Sequence, residues 1–264
     1  MMETTSDGGY LRQTAYRVRF ERGEHGAFGL LSRRPPDVHV AIVVDVLSFS
    51  TAVDVAVARG AQVFPSRFKS LAESAQIATM YDALLAVPRS ERSEASPYTL
   101  SPLTLDALPS GARLVLPSPN GARCVRAAYD RRVPVVVVGC LRNVRAVAAF
   151  ARTRAGRKGT IAVIAAGERW TDGTLRPSVE DDLGAGAILA ALDLDAACSP
   201  EAHYAASAFA AMRDALADAV RDSVSGRELS QAGYGDEIPW SLEVDVSTTV
   251  PLLQDDGFIG AAPR

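Results

Sequence analysis

Short apolar stretches alternate along this chain with amphipathic stretches, and the two patterns have different periods. Tyr16, Val18 and Phe20 alternate with arginines, which is the period of two expected of a strand with one buried face. Residues 40–46 are mostly β-branched or small apolar residues, as in a central strand covered by helices on both faces. Residues 70–87 instead carry apolar side chains at helical spacing. The pattern therefore predicts strands and helices that follow one another along the chain.

The same reasoning places the remaining elements. Ser48 and Ser50 can cap a helix that runs to about Arg59, and a strand at 62–64 then completes a β-α-β unit. Further strands are predicted at 113–116, 133–138, 160–165 and 242–246, and further helices at 122–130, 143–154, 179–191, 200–223 and 226–232. Repeated alternation of this kind favours a three-layer α/β fold, in which a mostly parallel sheet carries helices on both faces.

Two longer segments interrupt the alternation. Residues 88–111 contain four prolines and several serines, and a second loop is predicted at 167–178. Long loops in a compact domain are often functional. Residues 1–14 are predicted to be a disordered tail, and residues 15–264 a single domain, because one hydrophobic core can serve a chain of this length.

Composition and charge argue against several classes of protein. With 28 basic and 31 acidic residues and no basic stripe, the chain is not expected to bind nucleic acid. Its apolar runs are far shorter than the roughly 18 residues that cross a bilayer, and residues 1–9 do not resemble a secretory signal. Three separated cysteines form neither a disulfide framework nor a zinc pattern. We expect a cytoplasmic protein without membrane contact, which acts on a small molecule and forms a homo-oligomer such as a homodimer.

Ligands of open α/β sheets bind beyond the carboxyl ends of the strands. Four predicted segments lie at such ends: 45–51, 117–121, 139–143 and 166–181. Each is rich in small or polar residues, so that backbone N–H groups can approach an anion there. The chain has neither a P-loop nor a glycine-rich dinucleotide motif. A phosphate or carboxylate ligand is therefore expected.

Asp45 is the first candidate for a reaction centre. A carboxylate directly after four apolar residues is costly to bury unless it meets a metal or hydrogen-bond donors. Glu180 and Asp181 open a predicted helix and are further candidates. Asp45 could instead cap the following helix, and the two acidic residues could serve only the helix dipole. Separated carboxylates at strand ends could also hold Mg²⁺, which takes oxygen ligands and shares them with substrate phosphate.

Other polar residues at these ends have both structural and functional interpretations. Asn120 and Gly121 form a turn dipeptide, and Asn143 is a good helix N-cap. Cys140 follows a strand and could act as a nucleophile, although such a cysteine is more often small packing. None of the three histidines has a second ligand at metal spacing, so structural roles are favoured for them.

Taken in order, several of these segments share the motifs of a known family. Residues 45–51 read Asp-Val-Leu-Ser-Phe-Ser-Thr where that family has Asp-Val-Leu-Arg-Ala-Thr. Residues 119–122 look like its Thr-Asn-Gly-Thr turn, and residues 141–143 like its Leu-x-Asn. The Ala-Gly pair at 166–167 and the Glu-Asp pair at 180–181 follow in the family's order. The chain thus resembles the 2-phosphosulfolactate phosphatase family.

The resemblance covers about residues 40–253 and implies a Mg²⁺-dependent phosphatase. Its substrate would be the phosphomonoester of a small anionic 2-hydroxy acid, which is 2-phosphosulfolactate in the family. Asp45 would bind the metal or act as the nucleophile, and Glu180 or Asp181 would be a second metal ligand or the acid/base. The substrate-binding residues implied by the resemblance are Ser48, Ser50, Thr51, Asn120, Gly121, Asn143 and Gly167.

One departure from the family affects the expected specificity. Ser48 stands where the family has an arginine, and this removes a rigid cation suited to a sulfonate or carboxylate. Arg123, Arg142 or Arg169 could replace that charge. Two alternatives stay open: a family fold that binds an anionic metabolite without hydrolysing it or serves as an assembly subunit, and a different α/β hydrolase or transferase with similar strand ends.

Overall fold

A computed structural model describes residues 11–31, 37–67 and 69–261. The strands are β1 (Val18–Arg22), β2 (Val40–Val44), β3 (Gln62–Arg67), β4 (Leu84–Leu85), β5 (Arg113–Ser118), β6 (Val135–Gly139), β7 (Ile161–Ala165), β8 (Glu168–Arg169), β9 (Leu175–Arg176), β10 (Pro251–Gln254) and β11 (Gly257–Gly260). The helices are α1 (Gly23–Leu30), α2 (Phe49–Ala58), α3 (Leu71–Met80), α4 (Pro102–Leu105), α5 (Gly121–Asp130), α6 (Val144–Ala155), α7 (Val179–Leu192), α8 (Pro200–Met212), α9 (Leu216–Asp222), α10 (Val224–Gln231) and α11 (Ile238–Leu242). None of these helices is long and apolar enough to cross a membrane.

The main sheet contains nine strands within the described ranges, in the order β1-β7-β2-β6-β10-β11-β3-β5-β4. Parallel pairing joins β1, β7, β2 and β6 into one set, and β3, β5 and β4 into another. The antiparallel hairpin β10–β11 connects the two sets, because β10 pairs with β6 and β11 with β3. The predicted mostly parallel sheet is confirmed.

Strand β2 lies between two hydrophobic cores. It is buried at all five of its positions. Val40, Ile42 and Val44 face the core that α6, α7 and α8 cover, whereas Ala41 and Val43 face the core of α1, α2 and α5. Alternate residues of one strand thus serve opposite layers, which is why the sequence reads as a continuous apolar run. The predicted three-layer arrangement, with helices on both faces of the sheet, is confirmed.

Some predicted elements differ from those observed. The strand expected at 242–246 is wrong, because Leu242 ends α11 and the residues after it form a loop. In that loop Asp245 and Ser247 donate their backbone N–H groups to the carbonyls of Leu141 and Arg142, beside the end of β6. These hydrogen bonds hold the loop against the segment that follows β6. The last strands of the sheet come later, as the hairpin β10–β11.

Other differences concern boundaries and neighbours. The helix predicted at 70–87 ends at Met80, since Asp82 takes a φ of 47° that no helix accepts. The helix predicted at 200–223 is divided into α8 and α9 by a short 3₁₀ turn. Strands β2 and β3 follow one another along the chain but are separated in the sheet by β6, β10 and β11. The predicted β-α-β unit therefore does not pair its own strands.

The predicted tail is described only in part. Residues 1–10 lie outside the described residues. Gln13 is buried, and its side chain donates to the carbonyl and accepts from the N–H of Phe20. The predicted loop at 167–178 carries the small hairpin β8–β9, and the predicted loop at 88–111 carries α4.

The crossing of α7 and α8 yields a first testable prediction. A Cβ added to Gly186 would lie 2.2 Å from the backbone oxygen of Ala205, so the helices would have to move apart. We expect Gly186→Ala to lower the free energy of unfolding by roughly 2 kcal/mol in urea titrations. Gly29→Ala is the control: a Cβ there meets no atom within 4 Å, and the change should be neutral or stabilise by up to about 1 kcal/mol. Equal effects of the two substitutions would contradict this account of the crossing.

Candidate functional site

Asp45 lies directly after β2 and joins it to α5. Its side chain is buried, with the residue only 6% exposed. The N–H of Phe49 donates to Oδ1 at 3.2 Å, and the N–H of Gly121 donates to Oδ2 at 2.9 Å. A Cβ at Gly121 would lie 2.7 Å from Oδ2, so the backbone approaches this closely only with glycine there. The requirement for glycine at position 121 is thus steric.

Asp181 likewise accepts two backbone hydrogen bonds at the same edge of the sheet. The N–H of Val46 donates to its Oδ1 at 2.7 Å, and the N–H of Gly167 donates to its Oδ2 at 2.8 Å. Gly167 has a φ of +66°, which favours glycine. Asp181 therefore ties the loop after β2 to the loop after β7. The neighbouring Glu180 is also buried, and the hydroxyl of Ser223 lies 3.4 Å from its Oε2.

Glu168 is a fourth carboxylate of this region, which sequence reasoning missed. It follows Gly167 in β8, and the side-chain amide of Asn120 donates to its Oε2 at 2.9 Å. The sequence did contain a signal, because Glu168 lies within the segment 166–181 that was predicted to bind the ligand. Local pattern could not show which charged residue of that segment faces inward.

These carboxylates perturb one another, and we call Asp45, Glu168, Glu180 and Asp181 the acidic cluster. Burial, followed by the charge of Glu168, raises the pKa of Asp45 to about 7. Burial also raises the pKa of Glu168 and of Asp181, and the charges of Asp45 and Glu180 raise that of Asp181 further. Asp45, Glu168 and Asp181 thus bind protons more tightly than ordinary carboxylates do, and a cation would relieve the repulsion within the acidic cluster.

A cavity of about 640 Å³ opens beside the acidic cluster. Leu47 and Ser48, whose peptide bond is cis, line it at the end of β2, and Glu168 lines it from β8. The rest of the wall is mostly apolar and includes Val87, Leu100, Pro119, Leu229, Ala232 and Tyr234. The predicted strand-end site is therefore next to a space of ligand size.

Arg89 is the cation that lies beside Ser48, and sequence reasoning missed it. Its Nη2 donates to the Ser48 hydroxyl at 2.9 Å and pairs with Glu237 at 2.6 Å. The guanidinium also stacks on the ring of Tyr234, 5.5 Å from its centroid. Arg89 belongs to the loop at 88–111, which was predicted to be functional but without naming this residue.

None of the three arginines named from the sequence lines the cavity beside Ser48. Arg142 pairs with the buried Asp54 at 3.2 Å and also with Glu243. Arg123 and Arg169 each lie 3.4 Å from the same oxygen of Glu24. Arg67 approaches the other oxygen of Glu24 at 3.9 Å, and we call Arg67, Arg123 and Arg169 the arginine cluster. Three cations therefore share the carboxylate of Glu24. A small cavity next to Arg169 is also lined by Asn120 and Glu168.

The predicted substrate-binding residues divide into three groups. Ser48, Asn120, Gly121 and Gly167 surround the acidic cluster or its cavity. The hydroxyls of Ser50 and Thr51 donate to the carbonyls of Val43 and Val46, and both residues are fully buried. Asn143 donates its amide to Asp54 and to the carbonyl of Thr249, which links α2 to the loop before β10. The nearby Cys140 is buried, which raises its pKa and disfavours a thiolate.

The oxygen ligands that the acidic cluster offers can be compared with those that Mg²⁺ requires. Among the residues that the structure describes, no three His, Cys, Asp or Glu side chains are placed to hold a metal by themselves. Mg²⁺ usually takes only one or two carboxylates and completes its shell with water and substrate phosphate. Each oxygen of Asp45 accepts one backbone N–H and keeps capacity for a further partner. The acidic cluster therefore suits an ion that is shared with a phosphorylated substrate.

Comparison with known proteins bears on the same region of the chain. A family model described as 2-phosphosulpholactate phosphatase matches residues 30–256. A 2-phosphosulfolactate phosphatase of Methanothermobacter thermautotrophicus is 29% identical over 224 residues, which cover 84% of this chain and 90% of that protein. A probable 2-phosphosulfolactate phosphatase of Gloeobacter violaceus is 28% identical over 225 residues, which cover 83% and 90%. The range matched by the family model includes the whole acidic cluster, and the three matches confirm the resemblance inferred from the motifs.

The raised pKa of Asp45 predicts how stability depends on pH. The group titrates at 3.8 in a free chain and at about 7 in the folded protein, so folding takes up a proton between these values. Its contribution to stability is fully present below the lower value and is lost as pH rises through the upper one. As pH rises between these two values, the unfolding free energy of Asp45→Asn should therefore fall less steeply than that of the wild type. The two slopes should differ by at most about 1.4 kcal/mol per pH unit.

The measurement is urea denaturation in metal-free buffer from about pH 4 to about pH 8. Asp45→Asn also loses one acceptor for a backbone N–H, which lowers its unfolding free energy at every pH. The comparison therefore uses the slope of the unfolding free energy against pH and not its absolute value. Asp106→Asn, at an exposed position, is the control and should run parallel to the wild type. Parallel curves for Asp45→Asn and wild type would contradict the raised pKa.

Proposed function

This chain belongs to the 2-phosphosulfolactate phosphatase family, and from that membership we propose that it hydrolyses the phosphomonoester of a small anionic 2-hydroxy acid. Water would cleave the P–O bond and release phosphate and the free 2-hydroxy acid. The observation that carries the proposal is the acidic cluster at the end of β2, open to a cavity through Glu168.

We propose that the reaction depends on Mg²⁺, with Asp45 and Glu180 as its protein ligands. When bound, the ion would neutralise phosphoryl oxygens and so favour attack at phosphorus. The two backbone N–H bonds to Asp45 hold its carboxylate in one orientation, and burial keeps bulk water away from it. Asp181 is clamped in the same way and acts in this proposal as a positioning residue for the loops around the site.

Glu168 is the group that we propose as the acid/base. It lines the cavity, and its raised pKa favours retention of a proton that it can donate to the leaving oxygen of the substrate. Asn120 fixes the orientation of the carboxyl group through the bond to Oε2. Because the leaving oxygen is a poor leaving group when unprotonated, this proton transfer should matter more for kcat than for KM.

Positive charge for the substrate comes from the arginine cluster, since the small cavity next to Arg169 is also lined by Glu168. Arg123 lies in the first turn of α5, whose N-terminus favours anions, and Arg169 follows β7. The arginine cluster carries more charge than Glu24 can compensate. We propose that this excess attracts the anionic substrate to the mouth of the site.

A phosphate-release assay with 2-phospho acids tests the proposal. We expect turnover with Mg²⁺ and its loss after chelation. Asp45→Asn should lower kcat/KM by roughly 100-fold or more, whereas Asp106→Asn should leave it unchanged. Full activity of Asp45→Asn would overturn the role of this residue. Binding of 2-phospho acids without release of phosphate would favour the non-hydrolysing alternative.

The role of Glu168 has its own test. We expect Glu168→Gln to lower kcat by roughly 100-fold with little change of KM, because the amide keeps the shape but has no acidic proton to donate. We also expect wild-type activity to fall at alkaline pH, where Glu168 loses its proton, and we expect this fall to be absent in the variant. A variant with raised KM, unchanged kcat and an intact pH profile would mean that Glu168 only binds substrate.

A further inference from the structure

The walls of the cavity beside the acidic cluster are mostly apolar, which is unexpected for a site that binds a polyanionic substrate. Its lining is dominated by apolar groups that come from several separate segments of the chain. Val87 and Leu100 come from the segment 87–100, Leu229 and Ala232 from α10 and its end, and Tyr234 from the turn before α11. Such a wall stabilises a ligand by removing apolar surface from water.

The charged groups of the lining already have partners. Arg89 makes a bidentate pair with Glu237, which is itself buried. Glu228 pairs with Arg176 at 2.7 Å, and Glu168 accepts from Asn120. Among the described residues that line the cavity, Arg89 is the one cation, and the carboxylate of Glu237 offsets its charge. The arginine cluster does not contribute to this wall.

These contacts bear directly on the part of the substrate that carries no phosphate. A sulfonate in the cavity would lose its hydration and would meet only Arg89, whose charge Glu237 already offsets. An aryl or branched alkyl group would instead gain from contact with Leu229 and the ring of Tyr234. The volume of about 640 Å³ is within the usual range of small-molecule pockets.

We propose that this cavity receives an apolar side group, so that the chain acts on the 2-phosphate of a 2-hydroxy monocarboxylic acid with an aryl or branched alkyl substituent. This inference rests on the proposed function for its reaction. The phosphate lies at the acidic cluster, and the apolar group lies against α10. Hydrolysis adds water across the P–O bond and releases phosphate and the apolar 2-hydroxy acid.

The first experiment compares two substrates of the wild-type protein in the presence of Mg²⁺. We expect kcat/KM for the 2-phosphate of 3-phenyllactate to exceed that for 2-phosphosulfolactate by at least roughly tenfold, because burial of an aromatic group favours the former. A preference for 2-phosphosulfolactate would overturn the inference about the cavity and leave the proposed phosphatase function intact.

The second experiment measures binding without catalysis. Calorimetry with 3-phenyllactate and with sulfolactate reports on the cavity whether or not phosphate is released. Ala232 is exposed and lines the cavity, so Ala232→Arg adds a cation there with little risk to the fold. We expect this substitution to weaken the binding of 3-phenyllactate roughly tenfold and to strengthen the binding of sulfolactate. Ala217→Arg, at an exposed position outside this cavity, is the matched control and should change neither.

The outcomes separate the two proposals. Binding of 3-phenyllactate that responds to Ala232→Arg, without phosphate release from either substrate, would support the cavity assignment and reject the phosphatase function. Equal effects of Ala232→Arg and Ala217→Arg would overturn the cavity assignment. So would the absence of 3-phenyllactate binding to the wild-type protein.

Discussion

The edge of the sheet that carries the site depends on two buried carboxylates that accept backbone hydrogen bonds. Asp45 joins the end of β2 to α5, and Asp181 joins the loop after β2 to the loop after β7. A buried carboxylate without donors would cost several kcal/mol, and a buried N–H without an acceptor would add to that cost. Each pairing therefore satisfies both partners, and the two carboxylates together fix three segments relative to one another: the loop after β2, the start of α5 and the loop after β7.

The same burial also perturbs the titration of the two carboxylates. Burial raises the pKa of Asp45 and of Asp181, and the hydrogen bonds from backbone N–H groups offset only part of that rise. Glu168 of the acidic cluster adjoins both the small cavity next to Arg169 and the apolar cavity. A ligand that bridges the two must carry its negative charge and its apolar surface at opposite ends. The polarity of the site thus defines an orientation for the ligand as well as a location.

Much of the fold and part of the site could be predicted because they follow from local pattern. The apolar run of β2 and the carboxylate at its end are both visible in the sequence, and both lie where they were expected. The separation of β2 from β3 could not be predicted, because strand pairing is set by contacts that local periodicity does not encode. The same reason hid Glu168 and Arg89, whose roles depend on partners 48 and 148 residues away. Asn143 kept its predicted place after β6, but its amide turns toward Asp54.

The position of the hairpin β10–β11 has a consequence for how the protein is made. Residues 251–260 pair with β6 on one side and β3 on the other, so they bridge two halves of the sheet that are translated long before them. A chain emerging from the ribosome can assemble each parallel set but leaves an edge of each unpaired until these residues arrive. Exposed strand edges are sites of mispairing with other chains. The nascent protein therefore carries its greatest risk of aggregation late in synthesis, when chaperones that shield strand edges would be most useful.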